Sequence, residues 1–375
     1  MDFPQNMSME EAFALAEAEA KLQQALNESR ERFDQAALPD RLNEDWRFGR
    51  PHRHAAVLAE LFDTPSCGEA RVHRAGECAV PVSAEDDDLR QTEMLMPTIG
   101  SDALLGLHLQ KFGAGYALYI EEDTKEPIVL EYSTDSFYAP STYIMVAPGV
   151  KAEVEERHTG NAAEAALFAT RNIHVAEGAQ LRVSLRSSGF ARHMSITNIQ
   201  NLGGRVSHLT QHAANAWTRE ETVAEIYAAG EGTETRLYSA NRLTGSEVLD
   251  QHTRQVHHVG GAASDLLYKN VVDDSATAVF AGNIYVAPGA HHTDAYQSNR
   301  NMLLSEKATI HSLPGLEILA DKVRCSHGSA SAPMDEEQLF YLLSRGIPRQ
   351  EALQLVAEGF LADATNRFHS DSDND

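Results

Sequence analysis

The chain has 375 residues, and its 31 Lys and Arg against 55 Asp and Glu give a formal net charge of −24 at pH 7. This negative charge repels phosphate backbones and anionic lipid surfaces, which argues against a nucleic-acid partner and against membrane binding. No run of about 18 apolar residues predicts a membrane-spanning helix and the N-terminus lacks a basic region followed by an apolar one, so we expect an unexported, cytoplasmic protein.

Residues 1–90 are predicted to form an N-terminal helical and mixed segment. Ser8 and Glu11 have the spacing of a capping box, and an Ala-, Glu- and Leu-rich run continues to Phe33, which predicts one long helix. The acidic run at residues 85–88 is interpreted as a solvated linker. We therefore place a boundary near residue 90.

Residues 91–330 are predicted to form a β core, because short runs rich in Val, Ile, Tyr and Thr alternate with Gly-containing turns and helical periodicity is lost from about residue 95. One apolar-turn-apolar phrase recurs, with successive starts 26–30 residues apart. The phrases are Ile144–Val150, Ile173–Ala179, Ile199–Arg205, Ile226–Gly232, Val256–Ala262, Ile284–Ala290 and Ile310–Leu316. This near-constant step favours a β-solenoid with Gly at the coil corners, while a β-sandwich with recurring turns stays open.

The C-terminal part is predicted to be a helical hairpin over residues 331–362 and a disordered tail over residues 363–375. Pro333 precedes a run of acids that suits a first helical turn, and Pro348 opens a second apolar-periodic stretch. The hairpin is expected to cap the solenoid, because an uncovered last coil would leave strand edges unpaired.

Common enzyme signatures are absent: there is no phosphate-binding loop, dinucleotide fingerprint, nucleophile elbow or HExxH pair, so no catalytic residue is predicted. Two histidine pairs, His257–His258 and His291–His292, are expected to point to opposite faces of strands, with one member of each buried. A metal site across neighbouring coils is one interpretation of these pairs, and ordinary buried or solvated histidines are the other.

Cys325 and His327 lie two residues apart, so in a strand their side chains would share one face. A thiol and an imidazole in that arrangement are candidate metal ligands. The alternative is that Cys325 is a small buried hydrophobic residue. The remaining cysteines, Cys67 and Cys78, form no CxxC pair, so neither a disulfide framework nor a zinc knuckle is predicted.

Three C-terminal stretches resemble the signature of the SufB/SufD family of iron–sulfur cluster assembly proteins. They are Gln297–Ala308, Leu316–Gly328 and Asp335–Ile347, and the segment Leu38–Phe48 is similar to the one that precedes the family's core. The sequences Cys-Ser-His-Gly and Leu-Ser-Arg-Gly-Ile resemble SufD rather than SufB. The resemblance implies an all-β core, a right-handed parallel β-helix, flanked by N-terminal and C-terminal α-helical segments.

The resemblance also implies a non-enzymatic subunit of a SufB–SufC–SufD complex, with a SufB-like homologue and a SufC-like ABC ATPase as partners. The subunit would support iron acquisition and cluster building, binding iron or an iron–sulfur cluster only transiently within the complex. His327 and its neighbour Cys325 are the implied cluster-assembly interface and the candidate metal ligands. The ATPase is expected to dock at Leu339, Phe340, Tyr341, Ser344, Arg345, Gly346 and Ile347.

Two other functions are compatible with the sequence. One is a SufB-like scaffold that holds a cluster as a homodimer, although protein-held clusters generally need several thiolates. The other is a β-helix enzyme acting on acidic polysaccharides, which would need a groove with convergent acids or bases. Formation of a homodimer by the isolated chain is compatible with the first alternative.

Overall fold

The computed structural model describes residues 9–38, 44–48, 51–63, 65–75, 78–83, 86–111, 115–230 and 232–371. The helices are α1 (Met9–Gln35), α2 (Pro51–Leu61), α3 (Asp87–Met94), α4 (Asp102–Lys111), α5 (Glu336–Ser344) and α6 (Arg349–Ser370), with a short 3₁₀ helix at Glu44–Trp46. The first strands are β1 (Glu69–His73), β2 (Ala79–Val82), β3 (Gly115–Ile120), β4 (Ile128–Thr134), β5 (Phe137–Tyr138), β6 (Ser141–Val146), β7 (Lys151–Gly160), β8 (Ala166–Val175), β9 (Gln180–Ser188) and β10 (Arg192–Leu202). The later strands are β11 (Arg205–Ala213), β12 (Trp217–Ala228), β13 (Glu234–Leu243), β14 (Val248–His257), β15 (Ala263–Val272), β16 (Thr277–Val286), β17 (Asp294–Leu303), β18 (Thr309–Ile318) and β19 (Arg324–Pro333).

The core is a parallel β-solenoid, as predicted. From β6 onward the chain alternates between two sheets. Sheet A has the order β1-β4-β7-β9-β11-β13-β15-β17-β19, and sheet B has the order β18-β16-β14-β12-β10-β8-β6-β3-β2. Neighbours pair in parallel except at the N-terminal edges, where β1 meets β4 and β2 meets β3 antiparallel. This parallel stacking excludes the β-sandwich.

The solenoid interior is built by side chains that stack at the same register on successive coils. Ile144, Ile173 and Ile199 are register partners on β6, β8 and β10, and each is fully buried. Alternation along a strand turns every second residue inward, and strands about 4.8 Å apart bring these side chains into contact. Burying each one contributes about 1.5–3 kcal/mol, so the ladder is a main source of stability.

Glycines occupy several of the coil corners, as predicted, but the seventh phrase is out of register. Gly149 and Gly178 have φ values of +73° and +68°, a region that favours glycine because it has no Cβ. Gly315, in contrast, lies inside β18 beside Asn283 of β16. The corresponding corner follows β18 and uses Lys322 at φ +57°. The Pro-Gly pair of that phrase therefore mimics a corner within a strand.

The N-terminal boundary near residue 90 is wrong. β1 and β2 precede it but pair with core strands, α3 runs across it, and α4 adds helical structure beyond residue 95. The acidic run is not a linker, since α3 begins at Asp87 with Asp86 at its N-cap. These elements stay with the core because apolar residues of α2 and α4, such as Leu58 and Leu105, pack with Phe168 on the outer face of sheet B.

The predicted capping box at Ser8 lies outside the described residues. The long N-terminal helix is present as α1, and its residues Leu26 and Ser29 are buried. Within the described residues, no helix has the length and apolar content needed to cross a membrane.

The prediction of a disordered tail from residue 363 is wrong, because α6 continues to Ser370. Ala364 and Phe368 lie four residues apart on this helix and are buried against Tyr238 and Leu267 on the outer face of sheet A. The hairpin therefore does not cap the solenoid end. Because α6 lies along β11, β13 and β15, it leaves the last coil uncovered.

Candidate functional site at the open end of the solenoid

The last coil consists of β18 and β19, which are the C-terminal edge strands of sheet B and sheet A. Each strand from β7 to β17 contains several buried residues, whereas β18 and β19 are partly or fully exposed along their whole length. Leu316 and Ile318 are 38% and 37% exposed although they occupy inward positions. The end of the solenoid thus presents two sheet edges and an apolar interior surface.

Cys325 and His327 both lie on the inward side of β19, as alternation predicts. Their register partners on β17 are Ala295 and Gln297, which are fully buried. Cys325 is half-buried and packs against the apolar cluster that contains Ala295. His327 is exposed, and its imidazole forms no hydrogen bond or ion pair with any described residue. The thiol and the imidazole therefore face the open end together.

The ionisation of Cys325 limits what this pair can do by itself. Burial raises the pKa of the thiol, and Asp294 adds to the effect, so the group is a neutral thiol at pH 7. Binding a metal would release that proton. Among the residues that the structure describes, no group of three or more His, Cys, Asp or Glu side chains could hold a metal ion. Cys325 and His327 would supply at most two ligands, so a four-coordinate site would need further ligands from elsewhere.

The first C-terminal helix offers an apolar surface next to this end. Asp335 caps α5 by accepting a hydrogen bond from the Glu337 amide at 2.8 Å. Phe340 and Tyr341 are 72% and 57% exposed. Leu339, which was predicted as a docking residue, is buried against the cluster of Met334 and Ala352, so it positions the helix and offers no docking surface.

The Ser-Arg-Gly-Ile sequence forms the turn between α5 and α6. The Ser344 hydroxyl donates to the Tyr341 carbonyl at 2.7 Å, and the Arg345 guanidinium lies 5.1 Å from the centre of the Tyr341 ring. Gly346 has φ +85°, which ends α5. Ile347 packs into the hairpin core. The motif therefore holds the exposed aromatic residues in place.

The sequence reasoning missed a fully buried ionic cluster inside the solenoid. Arg171 on β8 donates from Nε and Nη2 to Glu156 on β7, at 2.9 and 2.5 Å. The Glu156 oxygen that accepts from Nη2, Oε1, also lies 2.5 Å from Nε2 of His158, and Nδ1 of His158 lies 2.9 Å from Nε2 of His193. The sequence did contain one signal for this cluster. Glu156 and His158 follow Val154 at every second position of β7, so all three side chains point into the solenoid.

The charges of this interior are set by the competition between burial and pairing. Burial raises the pKa of Glu156, but Arg171 and His158 outweigh it and hold the pKa well below its usual range. Burial and then His158 push the pKa of His193 well below its usual value. Burial also raises the pKa of Glu220, but its partner His212 outweighs that effect, and the pKa is lowered to about 2. At pH 7 the acids are therefore ionised and His193 is neutral.

The two histidine pairs differ in outcome. His257 is buried with Nε2 2.8 Å from the Ser264 hydroxyl, while His258 is exposed, as predicted for opposite faces of a strand. His291 and His292 are both exposed, so that prediction is wrong. The reason is that they lie in the turn after β16, where strand alternation does not apply.

Comparison with known proteins identifies the family that this chain matches. The family model described as "SUF system FeS cluster assembly, SufBD core domain" matches residues 129–360. The chain is 39% identical over 142 residues to the iron–sulfur cluster assembly protein SufD of Escherichia coli, covering 38% of this chain and 34% of that protein. It is 33% identical over 211 residues to an iron–sulfur cluster assembly SufBD family protein of Synechocystis, covering 52% of this chain and 44% of the relative. The match to SufD of Bacillus subtilis is 36% over 152 residues, or 40% and 34% of the two chains. The alignments thus span less than half the length of these relatives.

Proposed function

On the premise that this chain belongs to the SufBD family of iron–sulfur cluster assembly proteins, we propose that it is the SufD-like subunit of a SufB–SufC–SufD complex. In this role it carries no catalytic residues of its own. It contributes one wall of the place where iron and sulfur meet, and ATP hydrolysis in a SufC-like partner drives the movement that opens that place. The observation that carries the proposal is the open last coil with Cys325 and His327 on its inner face.

The open coil suits a second solenoid as its partner. Unpaired strand edges are templates for added strands, and natural proteins usually block them when no partner exists. Here both sheets end in such an edge, and the exposed Leu316 and Ile318 would be buried by a partner coil of matching cross-section. A SufB-like homologue with the same repeat would provide that coil.

The same surface explains why the candidate ligands occur as a pair. A partner that adds strands beside β18 and β19 would cover Cys325 and His327 and could supply the remaining donors for iron or a cluster. Since the thiol is protonated when no metal is bound, metal uptake would be coupled to proton release. Iron and the cluster are then cargo that passes through the interface.

We assign the docking site of the ATPase to α5 and the turn after it. Phe340 and Tyr341 are large aromatic side chains that stay mostly exposed among the described residues, and aromatic residues of this kind dominate binding energy at interfaces. Their position directly after β19 connects ATPase movement to the open coil. The turn that presents these two aromatic side chains is fixed by Ser344, Arg345 and Gly346.

The proposal is tested by reconstituting the complex with wild-type, His327→Ala and Ser326→Ala chains, and by following cluster formation through visible absorption under anaerobic conditions. Ser326 is the matched control, because it is exposed on the same strand but points to the other face. We expect His327→Ala to reduce cluster formation at least about tenfold, while Ser326→Ala assembles clusters at the wild-type rate. Equal rates for all three would refute the role of His327.

A homodimeric scaffold is the competing outcome. It requires that the isolated chain, after anaerobic reconstitution with iron and sulfide, holds a cluster without any partner. We expect no stable cluster absorption, because the open end provides one thiol and one imidazole per chain. A persistent cluster on the isolated dimer would favour the scaffold instead.

A further inference from the structure

A row of side-chain amides runs through the interior of the solenoid and ends at the open coil. Asn241, Asn270 and Asn301 lie on the inward faces of β13, β15 and β17, and each is the register partner of the next. The register partner that follows, on β19, is Ser331. The three asparagines are buried, whereas Ser331 is exposed at the edge. These four residues, the amide ladder, connect the buried core with the surface that a partner coil would cover.

The hydrogen bonds of the amide ladder all run in one direction, toward the open end. The backbone amide of His212 donates to Oδ1 of Asn241 at 2.9 Å, which fixes that oxygen as an acceptor. Nδ2 of Asn241 then donates to Oδ1 of Asn270 at 3.0 Å, and Nδ2 of Asn270 donates to Oδ1 of Asn301 at 3.1 Å. Turning any of these amides over would set two donors or two acceptors against each other.

The direction of the ladder decides which group Ser331 presents to the outside. Nδ2 of Asn301 has two hydrogens, which go to Oδ1 of Asn299 at 2.7 Å and to the hydroxyl oxygen of Ser331 at 3.2 Å. Ser331 therefore accepts from the inside. Its own hydrogen has no acceptor among the residues that the structure describes. The hydroxyl of Ser331 thus offers a donor to whatever covers the open coil.

Ser329, two residues earlier on the same face of β19, has the opposite polarity. The hydroxyl of Ser312 donates to Oδ1 of Asn299 at 3.0 Å, and because that oxygen can only accept, the single hydrogen of Ser312 is used. The Ser329 hydroxyl must then donate to Ser312, at 2.8 Å, which leaves the lone pairs of Ser329 open. The edge therefore presents a donor at Ser331 and an acceptor at Ser329.

We propose that the partner strand beside β19 presents a side-chain amide, from Asn or Gln, whose oxygen accepts from Ser331 and whose NH₂ group donates to Ser329. This inference rests on the proposed function, because it concerns the SufB-like coil that covers the open end. An amide fills the same place one coil earlier, where Asn301 bonds to Asn299 and to Ser331.

Other side chains do not match the two serines. A carboxylate cannot donate to Ser329, and an ammonium group cannot accept from Ser331, so either would leave a hydroxyl unpaired once the edge is covered. A hydroxyl has the right chemistry but too short a reach. Two residues on one face of a strand lie about 6.6 Å apart, while one oxygen with two bonds of about 2.8 Å spans at most about 5.6 Å. The separate oxygen and nitrogen of an amide extend that reach.

The amide would fix the register between the two chains. A slip of one residue turns every side chain of a strand to the opposite face, but a slip of two residues keeps the apolar side chains inward. Alternation alone therefore does not prevent the second error, whereas a buried polar contact that is satisfied in one register does. Cys325 and His327 lie on the same face as Ser329. The correct register then places the partner's metal donors opposite these candidate ligands.

The test measures binding of the SufB-like homologue to the full chain by biolayer interferometry, with the wild type, Ser331→Thr and Ser331→Val. Thr and Val have nearly the same shape, but only Thr keeps the hydroxyl. We expect Ser331→Thr to bind within about threefold of the wild type, and Ser331→Val to bind at least about tenfold more weakly, because the partner's amide oxygen is left unpaired. Ser326→Val, the same change on the outer face of the strand, should bind as the wild type does. Thermal melts check that each variant folds.

A double-mutant cycle identifies the amide itself. Each Asn and Gln on the last coil of the homologue is replaced by Leu in turn and measured against the wild type and against Ser331→Val. One of these changes should weaken binding to the wild type at least about tenfold but binding to Ser331→Val less than about threefold, because the contact is already broken. The cycle also separates this contact from the bond that Asn301 loses in Ser331→Val.

The outcomes separate this inference from the proposed function. Equal binding by the wild type and Ser331→Val, or a cycle in which no amide couples to Ser331, would overturn the inference and leave the proposed function standing. A wild-type chain that does not bind the homologue would overturn both. Self-association of the chain that Ser331→Val abolishes would show that a second copy covers the edge, and would also overturn the inference.

Discussion

Replacing Arg171 by Met tests how strongly the buried ionic cluster contributes to stability. The change keeps most of the side-chain volume but removes both hydrogen bonds to Glu156, whose carboxylate is 0% exposed. Breaking a buried pair by removing one partner costs about 3–5 kcal/mol, because the other charge is left without compensation. We therefore expect Arg171→Met to lower the free energy of unfolding at pH 7 by about that amount.

The matched control is Arg157→Met on β7. Arg157 pairs with Glu155 at 2.9 Å and with Glu131 at 3.2 Å, but its side chain is 47% exposed. Exposed pairs contribute about 0–1 kcal/mol, so this variant should unfold close to the wild type. The assay is urea unfolding followed by circular dichroism. A cost for Arg171→Met no larger than that for Arg157→Met would refute the reasoning.

The pH dependence of the same variant is a second readout. In the wild type, Arg171 and His158 outweigh burial and lower the pKa of Glu156, so this acid stabilises the fold above its unfolded pKa of about 4.3 and loses that effect as the pH falls through the folded value. Without Arg171, burial dominates and the folded pKa rises. The stability lost in the variant should therefore be smaller at pH 5 than at pH 7, and adding Glu156→Gln should recover most of it.

Three further predictions concern other parts of the molecule. Burial lowers the pKa of His208 to about 4, so the buried neutral imidazole destabilises the fold progressively as the pH falls from about 6.5, the unfolded pKa, to about 4. Over that range the free energy of unfolding of His208→Leu, measured with urea, should fall by about 3 kcal/mol less than that of the wild type. Parallel pH curves for the two chains would contradict this. Gly178→Ala should lower the free energy of unfolding by about 1–2 kcal/mol because Gly178 has a positive φ. Gly359→Ala, on an exposed part of α6, should raise it by about 0.5–1 kcal/mol. Melting temperatures of the two variants that shift in the same direction would contradict this. Leu339→Ala should lower the free energy of unfolding by about 2–5 kcal/mol, because Leu339 is buried. Phe340→Ala should leave that free energy within about 0.5 kcal/mol of the wild type and weaken ATPase binding in a pull-down, because Phe340 is exposed. A destabilised Phe340→Ala chain would show that the exposed ring is structural.

Much of the fold follows from local signals in the sequence. The repeated phrase predicts stacked coils because the same apolar positions must meet on every turn, as Ile144, Ile173 and Ile199 do. The same reasoning fails at Gly315, since a Pro-Gly pair can lie inside a strand as well as at a corner, and only pairing with β16 decides between them. Local pattern thus predicts the architecture better than the register.

The ends of the chain depend on contacts that no local pattern contains. Ala364 and Phe368 are isolated apolar residues in a polar stretch, and their helix is stabilised by Tyr238 and Leu267 of distant strands. The path of the hairpin along sheet A, which leaves the last coil open, results from those contacts.

The candidate site divides in the same way. Strand alternation is enough to place Cys325 and His327 on one face. The buried cluster needs Arg171 to meet Glu156 from a neighbouring coil, and the spacing between these two residues in the chain carries no motif. Sequence reasoning therefore finds pairs within one strand and misses those assembled between coils.

The most direct test of the SufD-like role is affinity purification of the tagged chain from its own cells, with mass spectrometry of the proteins that accompany it. The account predicts that an ABC-type ATPase and a SufB-like homologue co-purify, and that Phe340→Ala reduces the ATPase selectively. Recovery of the chain without either protein, even at low salt, would contradict it.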